Sequence, residues 1–394
     1  MKILFILLLT FFTSFSEGKD QKELLKELNA LYKYIKTDLV GKSFTEQIFI
    51  LNNLKEKYGE NPYANELIPQ LLAEKYSYVS KHKEAITSYE LAYPNKKTHN
   101  NIDIENFAVK DAINRIIKES KKTNILMINE AHHNSQHRVL TFNLLEKLKK
   151  NGYGYLAIET LVENGEADIF KSHVNESSGT YVDDPIFSHL LIKAKELGFK
   201  IVSYDYSGSN DNAIREDFSA KTIVNKVFND DKSAKVIIHC GYNHISEVDW
   251  LASKLKEITS IDPLTVNQTS IVESFNKDKE NMTYETIANK IGENKPIILE
   301  NKNGEIWSVN KSKYDISVIW PKTYFINGRA NWSEIGRKSI MIETDICKSF
   351  PCQVEVFNPA YPESVPLDRV MIEEDNSKIS IFIDEENNKV RAIY

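Results

Sequence analysis

The sequence predicts an α/β protein: a mainly parallel sheet with helices on both faces, preceded by an all-helical N-terminal module and followed by a small β-rich tail. Three observations predict it. Residues 125–128 (Ile-Leu-Met-Ile) form an unbroken apolar run suited to a strand covered on both faces, and Val139, Phe142, Leu145 and Leu148 then recur at helical spacing. A second apolar run at 155–158 closes a β-α-β unit, and strand-helix alternation continues to residue 239. Helical spacing holds over residues 21–93, whereas apolar and polar residues alternate over 378–384 and 389–394.

Taken in order, residues 1–18 read as a secretory signal peptide: one Lys, an apolar run too short to span a bilayer, then Ser and Gly, with cleavage expected near 16–18. No Cys lies there to carry a lipid anchor, and no later run is apolar enough to cross a membrane, so the expected mature protein is exported, periplasmic or secreted. Residues 19–97 form the helical module. Leu24, Leu28, Leu31 and Ile35 keep three-or-four spacing, and Ser43 with Glu46 has the form of a capping box. Leu72, Ala73, Tyr76, Ala85, Tyr89 and Ala92 fall at the spacing of one tetratricopeptide-like hairpin. A single unit cannot stack into a solenoid, so it reads as a helical cap or a docking module for a protein partner.

The α/β core is assigned to residues 98–343, after a polar, Lys- and Asn-rich boundary at 95–103. Residues 106–120 read as an amphipathic helix, and 185–197 as a helix stopped by Gly198. Residues 199–204 read as a strand delivering Asp205, 213–228 as a helix with Arg215 in its first turn, and 234–239 as a strand. Ser246 with Asp249 looks like a helix cap, which would set His244 beside a helix N-terminus. Strands are expected at 269–275, 296–300 and 316–320 with a helix at 283–291, and a closing β-hairpin at 378–394 within the tail of 344–394. Cys347 and Cys352 are close enough to be bridged or left apart, and Cys240 reads as a buried small side chain.

Net charge is −6, with acids and bases mixed along the chain, so no basic face advertises nucleic acid. Four strands are expected to end in Glu130 and His133, in Glu159, in Asp205, and in His239 with His244. Parallel strands bring such ends to one edge, where open α/β sheets bind ligands. An imidazole beside a carboxylate there can serve as general base. Glu130 with His133 is the expected proton acceptor, Glu159 orients a second imidazole, and His244 is the second acid or base. His132, Arg138, Asp205 and Arg215 are the candidate substrate-binding residues, the arginines either clamping an anionic group or balancing the acids. His137 is expected at the solvent face or in a salt bridge, and His82, His99, His173 and His189 lie outside the cluster.

The same His and Glu residues could instead hold a divalent metal, although His-Glu-x-x-His is missing, and a haem iron needs only one axial His. Cofactor identity stays open between these and none. No Gly-x-Ser-x-Gly elbow, phosphate-cradling loop or dinucleotide fingerprint is present.

Asn129-Glu-Ala-His-His, then Arg138, Ala-Ile-Glu159, Arg215-Glu-Asp-Phe and Gly241-Tyr-Asn-His244 together resemble the superfamily that unites erythromycin esterase-like hydrolases, ChaN-like haem-binding uptake proteins and Tiki-type metalloproteases. The resemblance covers residues 106–323. Glu130 and His133 match the Glu and His of the esterase branch's Gly-Glu-Ala-Thr-His-Gly, with Asn129, His132 and Asn134 replacing Gly, Thr and Gly. Glu159 and His244 match its later acid and histidine. The resemblance implies water activation by a His/Glu set in the esterase branch, metal-dependent peptide cleavage in the Tiki branch and haem binding in the ChaN-like branch. The expected activity is an exported hydrolase acting on an ester or related bond of a small molecule; a haem- or metal-binding protein using the same crevice without turnover is the alternative.

Overall fold

The computed structural model describes residues 21–93, 102–159, 161–162, 174–206, 208–209, 211–277, 281–290, 295–375, 378–384 and 388–394. The expected signal peptide lies outside them, as does most of the 95–103 boundary. Four helices open the described chain: α1 (Gln21–Asp38), α2 (Phe44–Lys57), α3 (Pro62–Tyr78) and α4 (His82–Ala92). Ser43 and Glu46 close the capping box at α2, and Asn61 caps α3 ahead of Pro62, which fits the first helical turn because its missing N–H has no partner to lose.

A strand follows where a helix was expected. Residues 107–111 are β1 (Phe107–Asp111), and only Ala112–Glu119 is helical, α5. The apolar periodicity there is real, but β1 gains an antiparallel ladder with β7 (Ile297–Asn301) that a lone sequence does not display. The core then runs β2 (Ile125–Glu130), α6 (Gln136–Lys150), β3 (Tyr155–Ile158), α7 (Pro185–Glu196), β4 (Lys200–Ser203), α8 (Asn212–Ile223), β5 (Val236–Gly241), α9 (Leu251–Thr259) and β6 (Leu264–Asn267). Short helix α10 (Met282–Ala288) and strand β8 (Ile316–Ser317) complete it, and two-residue strands β9 (Phe325–Ile326) and β10 (Arg329–Ala330) pair with each other after it. The strand expected at 269–275 lies earlier, as β6.

Six strands form one all-parallel sheet in the order β4-β3-β5-β2-β6-β8. Alternation along β2 divides two cores. Leu126 and Ile128 pack with α5, α6 and α7 on one face, whereas Ile125 and Met127 pack with α8 and α9 on the other. Every residue of β2 and β5 is buried, which explains runs without the polar alternation of a one-sided sheet. Among the described residues no helix is long and apolar enough to cross a membrane.

The tail is β-rich, but it does not end in a hairpin. Strand β11 (Lys338–Glu343) pairs with β14 (Lys378–Ile383), and β12 (Cys352–Phe357) pairs with both β13 (Asp368–Ile372) and β15 (Lys389–Ile393). β14 and β15 therefore belong to different sheets, each laddered to a strand from earlier in the tail and not to its sequence neighbour. Cys347 and Cys352 are bridged, and Cys240 is a buried free thiol. The tail packs on the helical module: Met371 joins that module's core, and its N–H donates to the Val79 carbonyl at 3.1 Å.

Candidate functional site

The site is built at the C-terminal ends of β2, β3 and β5. Glu130 is the last residue of β2 and is buried. Its two oxygens accept four donors. Oε2 takes Arg138 Nε at 2.8 Å and His239 Nε2 at 2.8 Å, while Oε1 takes Arg138 Nη2 at 2.9 Å and His132 Nδ1 at 2.8 Å. Burial alone would raise the Glu130 carboxyl, but the Arg138 charge and the two imidazole hydrogen bonds override it and hold the acid well below its usual range.

The turn after β2 decides which histidine reaches Glu130. The Asn134 N–H donates to the Ala131 carbonyl at 2.8 Å, and His137 Nδ1 accepts the Ala131 N–H at 2.9 Å. His137 is thus a buried brace of the turn, not the solvent-facing residue expected, and burial lowers its pKa to about 3. This tight turn points His132 back at Glu130. His133 goes the other way, so the expected Glu130–His133 pair is not made: His133 stacks on Tyr89 of α4 at 3.7 Å and 14°, and its Nδ1 lies 3.4 Å from the Tyr242 hydroxyl. Burial pushes the His133 imidazole well below its ordinary pKa, leaving it neutral.

Arg138 is fully buried, because its guanidinium is shared among Glu130, Asp184 and the His132 carbonyl. Of the two roles open to it, the geometry gives charge balance within the site. Arg215 behaves similarly: Nη2 lies 2.8 Å from Glu159 and Nε 2.9 Å from Asp205.

Glu159 anchors a second set of contacts. It accepts the Gly241 N–H and lies 3.0 Å from His244 Nε2, while His244 Nδ1 lies 2.9 Å from Glu216. Burial would lower the His244 pKa, but two flanking carboxylates raise it to about 10, so the ring is an imidazolium at neutral pH. Its surroundings differ from expectation. His244 sits in a single 3-10 turn (Tyr242–Ile245), and α9 begins only at Leu251, where Trp250 occupies the cap position without a side-chain hydrogen bond; the Ser246 hydroxyl instead donates to the Val248 carbonyl.

The two carboxylate centres meet beside Gly241. A Cβ placed there would come 2.5 Å from His132 Nε2 and 3.2 Å from Glu159 Oε2, so both side chains pack closely on Gly241 and a larger residue would have to displace the His132 ring. The structure therefore brings Glu130, His132, Glu159, Arg215, Asp205 and His244 into one connected cluster. Asn129, the residue that replaces a glycine in the esterase pattern, braces this cluster: its amide donates to the Tyr242 carbonyl at 2.9 Å and to Thr269 at 3.0 Å.

His239, expected at a strand end but given no role, lies inside β5, and its Nδ1 lies 2.9 Å from Thr141. Five site residues escaped the sequence reading as site members: Asp184, Glu216, Tyr89, Tyr181 and Tyr242. Glu216 had a signal, as the residue after Arg215, and Asp184 reads as a cap before Pro185. Tyr89 had none, because it belongs to the helical module.

Among the described residues no three His, Cys, Asp or Glu side chains converge as metal ligands. The donor set points the same way: Glu130 is saturated by four N–H donors including a fixed guanidinium, an arrangement suited to holding protons rather than a cation. A cavity of about 500 Å³ lined by Arg115, Thr123 and Asp315 lies at the opposite end of the sheet and shares none of these residues.

No protein-family model matches the chain, and no curated protein sequence does either. Among solved structures the chain is similar to the type III effector HopBA1, at 14% identity and a TM-score of 0.32, covering 46% of this chain and 96% of that one. It is also similar to a structure described as bacterial protein toxins (14% identity, TM-score 0.30, 52% of this chain and 46% of that one). A third is RRSP, a MARTX toxin effector domain from Vibrio vulnificus CMCP6 (14% identity, TM-score 0.26, 50% and 40%). The chain spans under half the length of the latter two. Similarity at this level carries no functional argument, so the chemistry rests on the side chains.

Proposed function

We propose that this chain is an exported hydrolase of the erythromycin esterase-like type, in which an imidazole held by a carboxylate draws a proton from water that attacks an ester or related bond. One observation carries the reading. His132 Nδ1 is fixed on Glu130 at 2.8 Å, and Nε2, the other ring nitrogen, lies beside Gly241 on the side of Glu159. Because Glu130 is ionised, it selects the tautomer with the proton on Nδ1, and Nε2 keeps its lone pair.

The chemistry follows from those two atoms. Water bound against Nε2 gives up a proton as its oxygen bonds to the substrate's carbonyl carbon, and Glu130 stabilises the resulting imidazolium. The His244 imidazolium, fixed between Glu159 and Glu216, supplies positive charge near the developing oxyanion. When the tetrahedral species collapses, the ester C–O bond breaks and Nε2–H returns the proton to the leaving oxygen. Base catalysis of this kind contributes about 10²–10⁴ in rate.

The test is release of 1-naphthol from 1-naphthyl acetate and acid release from ethyl acetate, by wild type and His132→Ala. A loss of about 10²–10⁴ in kcat is expected. Equal rates in the two proteins, or no cleavage of either ester by wild type, would sink the reading.

A further inference from the structure

Two face-to-face stacks stand over the cluster. His132 lies on Tyr181, with centroids 4.2 Å apart and planes at 12°, and His133 lies on Tyr89, at 3.7 Å and 14°. Tyr242 joins them, presenting its ring edge-on to His132 at 5.6 Å and running within 16° of parallel to Tyr89 at 6.4 Å. Backbone conformation adds an independent sign. Tyr181 (φ 62°) and Tyr242 (φ 33°) both occupy the left-handed region, which is costly for a bulky side chain and clusters at functional sites.

Tyr89 comes from outside the α/β core. Its helix, α4, is pinned at its start to the C-terminal part of the chain: the Ser80 hydroxyl donates to the Arg369 carbonyl at 2.8 Å, and His82 rests on Trp332 at 4.6 Å. Two turns further on, Tyr89 reaches His133. The guanidinium groups nearest the stacks, Arg138 and Arg215, are both spent on buried carboxylates, so neither is left to recruit an anion.

Resting on the hydrolase reading, we propose that Tyr89 of the helical module is the specificity-determining residue of this site, forming with Tyr242 and His133 a roof that selects substrates carrying an uncharged, flat ring beside the scissile bond. A flat, uncharged ring would extend this stack of near-parallel planes, whereas an anionic substituent would meet the Glu130 and Glu159 carboxylates, whose guanidinium partners Arg138 and Arg215 are already committed. The helical module is then part of the site rather than an appendage to it.

The experiment compares 1-naphthyl acetate with ethyl acetate in wild type, Tyr89→Ala and Tyr89→Phe, with thermal melts recorded alongside. Loss of one stacking partner should raise KM for the naphthyl ester about three- to ten-fold in Tyr89→Ala. The rise in KM for ethyl acetate should be smaller than that for the naphthyl ester, and Tyr89→Phe should restore the naphthyl KM. An unchanged naphthyl KM in Tyr89→Ala, or an equal rise for both esters, overturns the proposal. If Tyr89→Ala does not fold, Tyr89→Leu, which keeps the bulk without the ring, carries the same comparison. If wild type cleaves neither ester, the hydrolase reading fails and the roof is judged by equilibrium dialysis of 1-naphthol. Binding weakened in Tyr89→Ala supports the roof, whereas absent or unchanged binding overturns it.

Discussion

Glu130 Oε1 and His132 Nδ1 lie 2.8 Å apart, joined across a turn that leaves His133, the next residue, stacked on a different module. A carboxylate already paired with Arg138 holds its imidazole by charge as well as by hydrogen bond. Removing the charge while keeping the shape isolates that contribution. Glu130→Gln should lower kcat for the cleaved ester by about 10²–10⁴, with KM changed much less. His133→Ala, which leaves the pair intact, should cost less, and steady-state kinetics on the three proteins would distinguish them.

Gly241 has an ordinary backbone, so its requirement is spatial. A methyl group there would meet His132 Nε2 at 2.5 Å and displace the ring. Gly241→Ala should reduce kcat about a hundredfold, as a displacement of about 1 Å can. Its far-ultraviolet circular dichroism should stay that of wild type; retention of full activity would show that the space beside Gly241 is not where the chemistry happens.

Arg138 balances two buried carboxylates, Glu130 and Asp184. Arg138→Met preserves much of the side chain's length but leaves both acids unpaired. Breaking a buried pair in this way costs about 3–5 kcal/mol. Urea unfolding should report a loss in that range, and a loss below about 1 kcal/mol would mean that the acids find other partners.

His244 carries a pH signature. Its folded pKa of about 10 exceeds the ordinary 6.5, so the stability it contributes is fully present below pH 6.5 and is lost as pH rises through 10. Its partner Glu159 is held below the ordinary 4.5 against the effect of burial, by the charge and hydrogen bond of His244 and by Arg215, so that contribution is present above pH 4.5 and fades as pH falls. Wild type should therefore lose thermal stability between pH 7 and 10 more steeply than His244→Gln. Parallel melting curves for the two proteins across that window would contradict the pairing.

Much of this fold was legible locally. Ile125–Ile128 announced a strand covered on both faces, the apolar spacing after it announced α6, and the acids at the strand ends marked the edge where Glu130 and Glu159 stand. Where the strand pairings departed from the sequence reading, a partner distant in the chain decided the outcome. Residues 107–111 pair with β7, and β14 and β15 each pair with strands other than one another. Local propensity contains no term for those ladders.

By itself the sequence determined the strand-helix alternation, the parallel sheet's likeness to other ligand-binding α/β sheets, and the residue types gathered at its edge, because these follow from apolar periodicity and short-range turn chemistry. Only the tertiary structure decided which imidazole faces which carboxylate, that Arg138 and Arg215 serve those carboxylates, and that Tyr89 stacks on His133 from another module. The reason is geometric. Hydrogen bonds and ring stacks act over a few ångströms, and the turn at residues 131–135, the buried pairing around Glu130 and the docking of α4 set those distances only once the whole chain is packed.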